Sequence, residues 1–563
     1  MISLEKLSAA IIDWADQEPE PDYRESTLRL LKKIRERDDS ALLEGHQLFG
    51  SRLAFGTSGI RGTIRPGPNG MNRVVISQTT EGLARYLRKN RPSGTNQELR
   101  AVIGFDGRHH SETFARDTAD VLSGHGIHAS LLPRMLPTPV LAFAVRELGA
   151  DAGIMITASH NPGEDNGYKV YFGGEDEGSQ IVPPVDRDIE SHIQDVARNL
   201  TWSEIPRSSE LVSVIESEIV GNYISSTLDF LALPAPVTVS TTVVYTAMHG
   251  VGGETFLSAI SAASFPEPHI VEQQFHPNPD FPTIDFPNPE EKGALDLSFE
   301  KARSVGADLI IAHDPDADRL AVALPDPSAS RGYRQLTGNQ VGAILGWHIA
   351  QKACSSGKTG TFANSLVSSP VLGKIAKSFG LDHEETLTGF KYISRVKNLI
   401  FGVEEALGYL VTPEVVRDKD GISAGLLVMS LADSLAEEGR TLWDYLHEIE
   451  KSIGAFASGQ VTIRLSPGVA GSKITAALRE RDLSAIGSRS VTKLDDFLEG
   501  VGKFPKEDVL RYYLDDATRV IARPSGTEPK VKVYIDTEGV TTAEARLRLT
   551  EVETDINQVV SSL

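Results

Sequence analysis

The sequence predicts a multi-domain α/β protein, on three observations. Apolar runs of strand length alternate with segments of helical periodicity. The runs repeatedly break into loops of Gly, Asp, Ser and Asn. That pattern puts polar side chains at the carboxyl ends of strands, where open α/β sheets bind ligands. A length of 563 residues, at roughly 150 per domain, makes about four domains.

The first unit is expected over 1–210. Residues 3–15 and 24–37 have helical periodicity, with Pro19 and Pro21 between them, and read as an N-terminal helical extension. A Gly-rich loop, FGTSGIRG, follows at 55–62 with Arg61 near its end. A helix at 73–89, a buried strand AVIGFD at 101–106 and a helix at 111–125 continue the alternation, with Asp106 and Arg108 close to the strand end. Gly153–Thr157 is a further strand, and Ala158–Gly167 is all turn chemistry. The low-hydrophobicity stretch 173–210 closes the unit.

A second unit is expected over 211–330. TTVVYTAMHGVGG at 241–253 is a strand breaking at His249 into glycines. Five prolines in 276–290 exclude regular structure there, so this stretch is expected to wrap the surface. DLIIAHDPDADR at 308–319 is the next strand-to-loop break. The third unit, 331–451, carries breaks at 357–369 and 388–393, GVEEALGY at 402–409, a loop at 413–423 and a helix at 424–438. The last unit, 452–563, has strand-like 461–465 and 520–536 and a helix at 541–558.

Composition narrows the function. The chain is 40% hydrophobic and 24% charged, which is ordinary for a globular protein. A formal net charge of −21 argues against nucleic acid and anionic membranes as partners. A phosphate ligand would need basic residues gathered locally. The lone Cys354 excludes a disulfide framework and argues against a cysteine metal site. The N-terminal residues are acidic early and lack the apolar core of a signal peptide, and no apolar run nears ~20 residues, so a cytoplasmic protein is expected.

Five constellations carry chemistry. Ser159 sits where strand becomes turn. His160 beside it can exchange a proton near neutral pH, Asn161 offers an amide, and the loop can aim N–H groups at an anion. Asp314, Asp316 and Asp318 alternate along what reads as extended chain, which would put three carboxylates on one side. A divalent cation is their natural occupant, and an oxygen-only set favours Mg²⁺. A calcium loop is excluded, since Pro325 stands at position 12 and Arg319 at position 6. Arg319 suits a phosphoryl group shared with the metal. In ARPSGTEPKVKVY at 522–534, Arg523, Ser525, Gly526 and Thr527 can surround a phosphate, and Lys530 and Lys532 add charge. Glu404 and Glu405 can act as acid and base or bind sugar hydroxyls. Lys391, in the TGFKY loop that opens at Thr388, is a candidate base. The plain alternatives are a strand-end serine, a solvated acidic loop, a basic turn, an exposed helix start and a surface lysine. GKT at 357–359 is no P-loop, because Lys352 stands where its first Gly belongs, and Ser159 lacks G-x-S-x-G.

Together TASHNP, DPDADR, VEEALGY and RPSGTEPK, in that order, resemble the functional loops of the α-D-phosphohexomutases, in the long branch that includes phosphoglucomutases and phosphopentomutases. Pro315 and Ala317 replace the glycines of the family's D-G-D-G-D-R, with the acids and Arg319 intact. The resemblance implies three related mixed α/β domains and a smaller C-terminal α+β domain, each giving one loop to a central cleft. It implies a phosphoserine at 159, Mg²⁺ on Ser159 and the three Asp, Lys391 as base with His160 assisting, and Arg319 in catalysis. Substrate binding would fall to Arg61, Thr388, Glu404, Glu405, Arg523, Ser525, Gly526, Thr527 and Lys530. The implied activity is a phosphoglucomutase passing through glucose 1,6-bisphosphate, in a monomer or homodimer, with mannose or pentose phosphates as alternative substrates. A phosphatase or bisphosphate synthase using the same serine is a rival. A non-catalytic sugar-phosphate sensor is another, and a lost Ser or Asp would have favoured it; none is lost.

Overall fold

The computed structural model describes residues 2–90, 98–234, 241–465, 471–481, 483–524 and 530–561. The chain packs into two compact units, residues 1–335 with 408–433 and residues 336–407 with 434–563.

In the first unit, helices Leu4–Gln17, Pro21–Arg35 and Asp39–Phe49 bury Leu7, Ile11, Leu31 and Ile34 in a core shared with the first sheet. The third helix is not evident in the sequence, because Gly45 interrupts its pattern. Gly45 is there for packing, since a Cβ on it would meet Ile34 Cδ1 at 2.7 Å. The Asp38 side chain caps this helix by accepting from the N–H groups of Ser40 and Ala41.

The first sheet runs Ile60–Thr63, Asp165–Phe172, Ala152–Ile156, Arg100–Phe105, His128–Leu131, Val212–Val214. Its centre is parallel, and Asp165–Phe172 returns antiparallel beside Ala152–Ile156. All five residues of Ala152–Ile156 are buried, the signature of a strand covered on both faces. The stretch 173–210 is more structured than its polarity suggests. It contains helix Val185–Asn199, which buries only Ile189, Ile193 and Val196 and so reads as polar. Gly82 in the facing helix Arg73–Lys89 makes room for Ile193.

A second sheet in the same unit runs Tyr333–Gln335, Leu320–Pro325, Leu309–His313, Val243–Thr246, His269–Ile270. Residues 276–290 have no helix or strand, as five prolines demand. They do not simply wrap the surface, however. Phe281 and Asn288 are buried, and the Phe281 ring lies 5.1 Å from the Arg108 guanidinium carbon.

In the second unit Thr361–Ser365 pairs in parallel with Asp382–Thr386 and with Leu399–Glu404. An antiparallel sheet follows in the order Ala455–Arg464, Lys530–Gly539, Arg519–Pro524, Leu510–Leu514, Arg489–Asp496, Ala485–Ile486. Helix Thr542–Ser561 packs on it through Val552 and Ile556. Among the described residues no helix is long and apolar enough to cross a membrane.

Candidate active site

Ser159 lies just beyond the buried strand Ala152–Ile156, is itself 3% exposed, and has φ 54°. A left-handed serine costs roughly 1–2 kcal/mol, so its surroundings must hold it. Its N–H donates to Thr157 Oγ1 at 2.8 Å, and its Oγ donates to Asp314 Oδ2 at 3.1 Å. His160 Nδ1 lies 3.3 Å from the same Oγ. Burial, then the Arg319 and Arg61 guanidinium groups, hold the His160 ring well below its usual range. The ring is therefore uncharged at neutral pH, with one of its two nitrogens still carrying a proton. Arg61 Nη1 donates to Asn161 Oδ1 at 2.9 Å, and Asn161 in turn donates to Asp165 at 2.9 Å.

The buried strand Leu309–His313 delivers the three acids, each at most 1% exposed. One carboxylate oxygen from each lies within 4.8 Å of the others. They do not converge by extended alternation. Ala317 has φ 54° and its N–H donates to Asp314 O at 2.9 Å, so a tight turn folds the acids together. Gly250 supports that turn closely: a Cβ there would run into the Pro315 backbone, and the Val251 N–H donates to Pro315 O at 2.8 Å.

Two lysines that the sequence reading passed over meet the triad. Lys169 Nζ donates to Asp316 Oδ2 at 2.7 Å and Asp318 Oδ2 at 3.1 Å, and Lys419 Nζ lies 3.4 Å from Asp318 Oδ2. Thr138 Oγ1 adds a bond of 2.7 Å to Asp316 Oδ2. Burial pushes Asp314 well up, and Asp316 and Asp318 push it further. Burial works the same way on Asp316, but Lys169 outweighs it and holds that carboxyl far below the usual range. Asp316 Oδ1 and Asp318 Oδ1 are buried with no hydrogen-bond partner among the described residues. Arg319 stands beside them, its Nε 3.8 Å from Asp314 and its Nη1 3.8 Å from Glu290. The first unit thus gathers Arg61, Ser159, His160, Asp314, Asp316, Asp318 and Arg319.

The other named residues belong to the second unit. Thr388 Oγ1 is buried without a hydrogen-bond partner among the described residues. Lys391 is half-buried in the helical turn Phe390–Ile393, and Gly389 before it has φ 116°. Glu404 ends the strand Leu399–Glu404. Glu405 turns toward the protein, where its Oε2 accepts from Ser365 at 2.9 Å and Ser368 at 2.8 Å. Burial, then the Glu404 charge, pushes its carboxyl up to about 7. The two glutamates therefore differ: Glu405 is tied to serines of its own unit. Arg523 pairs across the sheet with Lys532, and Lys530 begins the next strand. Ser525, Gly526 and Thr527 lie outside the described residues.

Comparison with known proteins identifies the family. Residues 52–199, 222–327 and 337–452 match the phosphoglucomutase/phosphomannomutase alpha/beta/alpha domains I, II and III, and 479–554 match the C-terminal domain of the same family. A Haemophilus influenzae protein named "Probable phosphomannomutase" is 48% identical over 87% of this chain and 98% of its own length. The Homo sapiens phosphopentomutase is 35% identical over 88% of this chain and 86% of its own. A Staphylococcus aureus phosphoglucomutase is 34% identical over 88% and 91%. Among solved structures, the open form of the Paramecium phosphoglucomutase parafusin superposes with a TM-score of 0.68 at 18% identity, covering 90% of this chain and 96% of that one. The chain belongs to the α-D-phosphohexomutases, isomerases that move a phosphoryl group within a sugar phosphate.

Proposed function

We propose that the chain interconverts the 1-phosphate and 6-phosphate of glucose through a phosphoserine at Ser159 and a glucose 1,6-bisphosphate intermediate. The observation that carries this reading is the 3.1 Å bond between Ser159 Oγ and Asp314 Oδ2, which sets the serine against the acidic triad. In the first half-reaction the bond from phosphorus to Ser159 Oγ breaks as a bond from phosphorus to the free sugar hydroxyl oxygen forms. The hydroxyl proton passes to a base, proposed to be Lys391. On return, the bond from phosphorus to the oxygen at the other end of the bisphosphate breaks as the bond to Oγ re-forms, and that sugar oxygen takes the proton back from Lys391, with neutral His160 at 3.3 Å from Oγ assisting. Such transfer asks a protein mainly for positioning and charge neutralisation. Arg61 and Arg319 supply cations at Ser159. Arg523 and Lys530 are proposed to hold the phosphate that is not reacting, and Glu404 the sugar hydroxyls.

The donor set suits Mg²⁺. It is all oxygen, and Asp316 Oδ1 and Asp318 Oδ1 are buried with lone pairs unused. Bound there with Ser159, Mg²⁺ would neutralise charge on the phosphoryl oxygens. Lys169 leaves those two oxygens free, because it takes only the Oδ2 atoms.

A second reading is a pentose phosphate: VEEALGY, unlike the common glucose form G-E-E-S, resembles the long branch that includes phosphopentomutases as well as phosphoglucomutases. The 35%-identical phosphopentomutase points the same way, and the 48%-identical relative points to mannose. One coupled assay on glucose 1-phosphate, mannose 1-phosphate and ribose 1-phosphate ranks the three. Intact mass after incubation with glucose 1,6-bisphosphate should show one phosphate, mapped to Ser159. An active Ser159→Ala variant would sink the mechanism.

A further inference from the structure

One guanidinium is bound to the Ser159 loop at four points. Arg108 Nη2 donates to the carbonyl oxygens of Ser159 at 2.6 Å and Asn161 at 2.7 Å. Its Nη1 donates to those of Pro162 at 2.7 Å and Asp165 at 3.0 Å. The side chain is 1% exposed and is aimed from behind. Nε lies 3.3 Å from Asp106 Oδ2, and the Arg108 N–H donates to Asp106 Oδ1 at 3.0 Å. Ser111 Oγ donates to that same Oδ1 at 2.7 Å. Phe281 closes the other side, its ring centre 5.1 Å from the guanidinium carbon.

The arrangement is costly for a purely structural feature. Burial disfavours the charged guanidinium, and Asp106 is its close carboxylate. It is spent on backbone oxygens of a loop whose first residue is the left-handed Ser159. Only a rigid two-nitrogen fork reaches all four; a lysine would offer a single point.

We infer that Arg108 is a positioning residue for phosphoryl transfer, fixing the direction of Ser159 Oγ by holding the carbonyls of residues 159, 161, 162 and 165. The inference rests on Ser159 as the phosphoryl carrier. Arg108 touches neither the reacting oxygen nor, on this reading, the sugar. Its loss changes how often Oγ stands in line, and so moves the rate of transfer and leaves substrate affinity in place.

The test is single-turnover phosphorylation of Ser159 by glucose 1,6-bisphosphate in Arg108→Lys, with steady-state kinetics alongside. The rate and kcat should fall about 100-fold, the scale of a misplaced reacting group, with KM unchanged and the final label per chain equal to wild type. In Arg108→Ala, millimolar guanidinium should restore part of the rate, and equal urea should not. A reduced final label with each labelled chain reacting at the wild-type rate, and no rescue, would reveal a merely structural role and overturn the inference. Should Arg108→Lys not fold, Phe281→Leu keeps the guanidinium and removes its cover. A smaller slowing at full final label supports the clamp, and a wild-type rate overturns it. Hydrogen exchange of the 158–166 amides without sugar phosphate separates the two readings. Faster exchange in Arg108→Lys with no label on wild-type Ser159 upholds the clamp and rejects the phosphoserine. Equal exchange and equal labelling rates reject the clamp alone.

Discussion

Lys169 Nζ bonds Asp316 Oδ2 at 2.7 Å, across 147 residues of sequence. It is the main fixed counter-charge to Asp316, so the triad depends less on a bound cation than three bare carboxylates would. Replacing it by methionine leaves Lys419 and Arg319 beside the triad but hands more of its mutual repulsion to the metal. Lys169→Met should therefore lower Tm without metal by several degrees, as loss of one partner of a buried pair does, and regain much of it in Mg²⁺. Thermal melts with and without Mg²⁺ check this. An Mg²⁺-induced rise no larger than in wild type would count against it.

Asp314→Asn should act in the opposite direction. Asp314 is pushed up by burial and by its two acidic neighbours. Removing its charge relieves repulsion among oxygens that lie within 4.8 Å. The metal-free variant should be as stable as wild type or more so, by about 1 kcal/mol, while the gain in Tm from Mg²⁺ disappears. Destabilisation without metal would refute this.

Glu405 gives a pH signature. Its carboxyl is raised from 4.5 to about 7 by burial and then Glu404. The folded chain then keeps a proton that the unfolded chain releases. Its contribution to stability is full below pH 4.5 and is lost as pH rises to about 7. The amount is about 1–3 kcal/mol for a partly exposed group. Glu405→Gln should flatten that part of the curve in urea melts between pH 5 and 7. An unchanged slope would show that Glu405 is ionised throughout.

Arg523→Ala should raise KM by about 10- to 150-fold, the equivalent of a charged hydrogen bond of ~1.5–3 kcal/mol. Ser159 should still be phosphorylated. Steady-state kinetics with and without added glucose 1,6-bisphosphate check both points, and a wild-type KM would remove Arg523 from the substrate.

The strand-end residues were the readable ones. Ser159 and Asp314 follow runs whose every residue is buried, and the switch to polar turn chemistry marks them in the letters alone. Lys169 was not readable, because inside GYKVY it looks like the outward residue of an alternating strand. Only pairing with Met155 and Ile60–Thr63 nearby fixes where that strand lies, and its acidic partners come 147 and 149 residues later. Lys419 lies between two acids in RDKDG and reads as a solvated loop. Glu405 reads as the twin of Glu404; Ser365 and Ser368, which distinguish it, stand on another segment. The extended reading of 314–318 failed because periodicity does not register a left-handed alanine.

The first unit is discontinuous in the chain, and this bears on how it is made. Tyr223 OH donates to both oxygens of Asp420, 197 residues downstream, and Lys419 beside it reaches Asp318. Ribosomes add about 5–20 residues per second, so roughly 10–40 s pass between the two synthesis events. The Ser159 loop exists throughout that interval and the acidic triad from about its midpoint, while the segment 408–433 that completes the unit does not. A nascent chain halted between 336 and 407 would hold Ser159 and the acidic triad without Lys419 and the Asp420 anchor, which makes this stretch a vulnerable point for truncation.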